Sequence, residues 1–94
     1  MAIRTAPDPK REQVKITFVL PDDVHPGPVS VVGDFNDWRP GTHRLVRRRN
    51  GTRSVSAAVP EGQTIRFRYL GSGGHWFDDP DAPEIDHTGT VLRV

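Results

Sequence analysis

Apolar residues in this chain recur at every second position, and no stretch of ten or more residues shows helical spacing. That period of two is the pattern of strands with one face in a core. Val14, Ile16, Phe18 and Leu20 alternate with Lys15, Thr17 and Val19, and Ile65, Phe67 and Tyr69 alternate with Arg66, Arg68 and Leu70. A third stretch, Thr52 to Val59, places Val55, Ala57 and Val59 on one face. Between these runs stand Pro21, Pro26-Gly27-Pro28, Arg39-Pro40-Gly41, Asn50-Gly51, Pro60-Glu61-Gly62 and Gly71-Ser72-Gly73-Gly74. Each is turn chemistry, and Asn-Gly is the strongest short-range hairpin signal. Short strands with turns between them predict an all-β fold, an antiparallel β-sandwich. The 94 residues suffice for one domain with a modest core, which excludes a two-domain enzyme.

The first thirteen residues (MAIRTAPDPKREQ) mix two prolines with charges and lack periodicity, so residues 1–13 are expected to form a flexible tail and 14–94 a single sandwich. The unit from Val29 to Trp38 organises the rest. Val29 and Val31 alternate with Ser30 as in a half-buried strand, which Gly33 breaks into a turn. If the alternation continues past Gly33, Phe35 falls in register with the valines and enters the core. Asn36 and Asp37 then shape the turn, and Trp38 faces outward. A short strand is expected at Leu45 to Arg48, with further strands at His75 to Phe77 and Val91 to Val94.

Composition closes several functional classes. With no cysteine there is no disulfide, thiolate metal site or cysteine nucleophile. A net charge of +1 provides no field to recruit nucleic acid, and the Arg47-Arg48-Arg49 run reads as a solvated turn. No apolar stretch suits a signal peptide or a membrane span, so a cytoplasmic protein without membrane contact is expected. The histidines (His25, His43, His75, His87) and the carboxylates (Asp78, Asp79, Asp81, Glu84, Asp86) match no triad, nucleophile elbow or zincin spacing. The set His75, Asp78, Asp79 and His87 matches no metal-ligand spacing. Neither catalysis nor a cofactor is expected.

Trp38 and Trp76 carry more information. Each follows a turn and sits among polar neighbours, Asn36, Asp37 and Arg39 for one, His75, Asp78 and Asp79 for the other. A single tryptophan of this kind is more often a core or edge-packing residue than a binding platform. Two of them on converging loops, with an outward arginine strand between, make a platform for a sugar: flat rings stack on pyranose faces while arginine or asparagine bonds hydroxyls.

The ordered set Gly33-x-Phe35-Asn36-x-Trp38, Pro60-Glu61-Gly62, Phe67-Arg68-Tyr69 and Trp76 with Asp79-Pro80 behind it, closing on GTVLRV, resembles carbohydrate-binding module family 48. Members are early-set, immunoglobulin-like sandwiches found at the N-termini of isoamylases and glycogen-branching enzymes and in the β subunit of AMP-activated protein kinase. The resemblance runs from about Val14 to Val94. It implies a non-catalytic module for α-glucans such as glycogen, starch or maltooligosaccharides. It also implies that Trp38 and Trp76 stack on the glucan, that Arg68 bonds hydroxyls, and that Thr90 lines the site. Two positions depart from the binding members: Leu92 replaces an asparagine, and Thr88 replaces a large apolar residue. Losing the amide removes a hydrogen bond worth ~1 kcal/mol. The alternative is an early-set domain that contacts a partner protein or enzyme and has lost the sugar.

Overall fold

The computed structural model describes residues 3–79, 84–87 and 89–94. In chain order the strands are β1 (Ile3–Asp8), β2 (Gln13–Pro21), β3 (Val29–Gly33), β4 (His43–Arg44), β5 (Val46–Arg47), β6 (Thr52–Pro60), β7 (Thr64–Gly71), β8 (His75–Phe77), β9 (Ile85–Asp86) and β10 (Gly89–Arg93). Two antiparallel sheets result, β1-β2-β6-β5 and β4-β3-β7-β10-β9, with β8 also paired to β7. The all-β sandwich read from the alternation is the fold observed.

The core lies between the sheets. Ile16, Phe18 and Leu20 of β2 and Ala57 and Val59 of β6 face Val29 and Val31 of β3 and Ile65, Phe67 and Tyr69 of β7. Phe18 is the hub, with its ring centroid 4.9 Å from Phe67 edge-on and 5.9 Å from Phe35 in a stacked arrangement. Each such pair contributes about 0.5–1.5 kcal/mol beyond the area it buries. With the odd residues of β7 buried, Arg66, Arg68 and Leu70 lie on the outer face, as the alternation predicts.

The far edge of β7 is shared. Residues Thr64 to Phe67 pair with β10, whereas Tyr69 to Gly71 pair with β8. Arg68 stands at the junction of the two partners.

Three features differ from the sequence reading. Ile3–Asp8 is an edge strand in continuous register with β2, from Ile3↔Phe18 to Asp8↔Gln13, so order begins well before Val14. Only Ile3 is buried, and main-chain pairing at an edge leaves no apolar alternation to read. Pro7 fits there because an edge strand need not donate on its free side. Second, β3 is buried on both faces, since the chain beyond Gly33 folds back and Gly41 N donates to Ser30 Oγ at 3.2 Å. Third, of the strand expected at Leu45 to Arg48 only Val46–Arg47 is strand, paired in the first sheet, whereas His43–Arg44 just before it pairs in the second, and buried Leu45 marks the crossover. The turn expected after Gly33 is a 3-10 turn, Asp34–Asn36, and Phe35 packs on the core as expected although the strand itself does not continue.

Candidate carbohydrate-binding surface

The outer face of the second sheet carries its own buried floor. Val32 is fully buried there, paired with Arg68, and lies outside the hydrophobic core cluster. Val91, paired with Arg66, is 2% exposed and likewise outside that cluster. One lateral row crosses four strands of this face, because Trp76 pairs with Leu70, Leu70 with Ser30, and Ser30 with Arg44.

Trp38 follows the turn after β3. Asn36, 8% exposed, closes that turn: its Oδ1 accepts from Gly33 N at 3.0 Å and its Nδ2 donates to Val31 O at 3.0 Å. Nδ2 also lies 3.0 Å from His43 Nδ1. Asp37 and Trp38 then both adopt left-handed backbone, with φ 57° and 56°, while Trp38 N donates to Gly33 O at 2.8 Å. Two consecutive non-glycine residues in this region cost of order 1–2 kcal/mol each, and such strain concentrates at functional surfaces. The result is a ring held outward, with Trp38 40% and Trp76 48% exposed. Among the described residues neither indole stacks on another aromatic ring.

Arg68 is anchored between the strands that flank it. Its Nε lies 3.6 Å from Asp78 Oδ1, an ion pair without a hydrogen bond, and its Nη2 donates to His87 O at 3.3 Å. About a third of the side chain stays exposed. Gly89 makes room for it: at φ +128° a Cβ there would sit 2.8 Å from Phe67 O and 2.9 Å from Arg68 Cγ. A side chain at this position would displace the arginine.

Thr90 is placed behind this surface. Register with Phe67 turns it inward and it is fully buried, so its hydroxyl does not face the outer face as the resemblance implies. Instead Oγ1 accepts from Asp79 N at 3.3 Å and donates to Asp78 Oδ1 at 3.2 Å, which braces the carboxylate opposite Arg68. Leu92, paired with Ile65, packs against the core, which accounts for an apolar residue there. Thr88, Asp81 and the Pro80 of Asp79-Pro80 lie outside the described residues.

The residue the sequence reading passed over is Asp79 as a partner of Tyr69. Tyr69 donates its hydroxyl to Asp79 Oδ2 at 2.7 Å in the interior. Burial, and then the adjacent Asp79 carboxylate, push the phenol well above the ordinary tyrosine range. The pair holds the chain beyond β8 against β7, next to Asp78 and Arg68. Strand alternation predicts an inward Tyr69 but gives no signal for the acid that meets it.

Between the Trp38 turn and the 71–74 hairpin lies an open groove of about 370 Å³, floored by Ser30 and Leu70 and walled by Arg44, Pro40 and Gly41. Trp76 is the register partner of Leu70 in its floor, and Pro40 in its wall lies two residues after Trp38. A larger recess of about 610 Å³ beside Asp22, His25, Arg47 and Gly51 includes none of the expected site residues.

No protein-family model matches the chain. Over 68 residues, 70% of the chain, it is 49% identical to the 1,4-alpha-glucan branching enzyme GlgB of Deinococcus radiodurans. Over 55 residues, 56% of the chain, it is 46% identical to the enzyme of the same name from Salinibacter ruber. The matched stretches are 9% and 8% of those enzymes, so the chain is similar to a small part of 1,4-alpha-glucan branching enzymes.

Proposed function

We propose that the outer face of the second sheet binds α-glucan, and that the domain is a non-catalytic module of the carbohydrate-binding family 48 type. The observation that carries this reading is the pair of exposed, unstacked tryptophans, Trp38 at the turn after β3 and Trp76 beside Leu70 on the outer face of the second sheet. Their indoles stack on pyranose rings, and the exposed part of Arg68 donates to sugar hydroxyls. Thr90 acts indirectly, by holding Asp78 opposite Arg68. The similarity to glucan-branching enzymes supports a glucan as the ligand. Among the described residues no helix is long and apolar enough to cross a membrane, which is compatible with the proposed cytoplasmic setting. Affinity electrophoresis in glycogen gels, with indole fluorescence titrated by maltoheptaose, tests the proposal. Retardation and an emission change are expected, and an unretarded band with unchanged emission at millimolar sugar rules it out.

A second reading, a partner-protein or enzyme contact that has replaced the sugar, draws on Leu92 and Thr90, both turned inward. Recovery of a specific protein, with no polysaccharide retained, supports that reading over the first.

A further inference from the structure

The row Trp76–Leu70–Ser30–Arg44 begins on an aromatic ring and ends on a charge. At ~4.8 Å per strand, the two ends are roughly 14 Å apart. The groove lined by Leu70, Ser30, Pro40 and Gly41 ends at Arg44, so a glucan stacked on Trp76 and lying along this groove arrives at Arg44. We infer that Arg44 and the groove beside it receive a phosphate monoester carried by the α-glucan, so that the surface prefers phosphorylated over neutral glucan. The inference rests on the α-glucan reading above.

Three observations carry it. Arg44 is exposed and makes no hydrogen bond or ion pair among the described residues, whereas its neighbours on this sheet are committed: Arg66 to Asp86, Arg68 to Asp78 and Arg93 to Glu84. Among the described residues the groove that Arg44 walls is lined by no carboxylate. Its remaining lining is compact, with Ser30 and Leu70 as floor and the glycine-rich 71–74 hairpin as the opposite wall, which lets a substituent approach the guanidinium closely. A neutral hydroxyl needs only an amide or another hydroxyl as partner. An unpaired planar guanidinium, with its fork of donors, matches the oxygens of a phosphate.

The test is calorimetry of the whole domain at low ionic strength with three ligands: maltoheptaose, the same oligosaccharide bearing one phosphate monoester, and inorganic phosphate alone. The phosphorylated sugar is expected to bind about tenfold more tightly than the neutral one, the effect of one charge-assisted contact. The gap should narrow as salt is raised. Arg44→Gln is expected to abolish the preference, bringing the affinity for the phosphorylated sugar down to that for maltoheptaose, with an unaltered melting curve as its folding control. Equal affinity of the native protein for both sugars overturns the inference without requiring any variant. So does an Arg44→Gln variant that loses affinity for both sugars alike, which makes Arg44 a hydroxyl contact. Inorganic phosphate bound as tightly as the phosphorylated sugar also overturns it, in favour of a free-anion site. If neither sugar binds, the α-glucan reading itself fails.

Discussion

Asn36 bonds the carbonyl of Val31 at 3.0 Å, so the side chain that shapes the tryptophan-bearing turn is fastened to the strand the turn leaves. The same amide group accepts from Gly33 N, which makes one buried residue responsible for the geometry of Trp38. The ring's outward position is therefore a property of Asn36 as much as of Trp38.

Replacing that amide frees the turn. Asn36→Ala leaves a buried amide and a buried carbonyl without their partner, and is expected to cost about 2–4 kcal/mol in urea denaturation. Glucan affinity should fall as well, because the left-handed backbone at Asp37 and Trp38 loses its support. An unchanged denaturation midpoint would show that the turn holds without the amide.

The tryptophans should separate binding from folding. Trp38→Ala and Trp76→Ala are each expected to weaken glycogen retardation by about tenfold or more, as central aromatic contacts do. Both rings are substantially exposed, so each substitution should shift stability by under ~1 kcal/mol. Gel retardation read beside thermal melts checks both halves of the prediction.

Tyr69 is the single tyrosine of the chain, which makes its ionisation readable alone by phenolate absorbance. Its native pKa lies above the unfolded value of about 10. The stability it contributes is thus fully present below pH about 10 and declines as pH rises beyond that, by up to about 1.4 kcal/mol per pH unit. Phenolate absorbance should emerge together with unfolding, and Tyr69→Phe should remove that part of the alkaline slope. Phenolate absorbance that grows while the protein stays folded would contradict the burial of the Tyr69–Asp79 pair.

Arg53 is the least obvious structural residue. Its guanidinium, 2% exposed, donates to Asp22 O at 2.9 and 3.1 Å, to Gly27 O at 2.6 Å and to His25 O, closing one end of the sandwich. Arg53→Met is expected to destabilise by about 3 kcal/mol or more, since buried carbonyls lose charge-assisted donors. Arg53→Lys should recover only part of this, because one ammonium cannot span three carbonyls. Urea midpoints of the two variants, compared with the native protein, provide the measurement.

Period-two alternation by itself determined the sandwich, the inward Ile65, Phe67 and Tyr69, and the outward Arg66 and Arg68, because side-chain direction in a strand follows position alone. Glycine, proline and asparagine marked the turns for the same local reason, and the two tryptophans were legible as rings that each follow a turn. Only the tertiary structure decided what depends on pairing between distant segments. It made Ile3–Asp8 a strand, since edge pairing uses main-chain groups that composition does not reveal. It turned Thr90 and Leu92 inward, since the register of β10 on β7 sets their faces. It matched Tyr69 with Asp79 and Arg53 with three carbonyls across long stretches of chain. It also aligned Trp76, Leu70, Ser30 and Arg44 in one row, a relation written in the register of four strands and in no local motif.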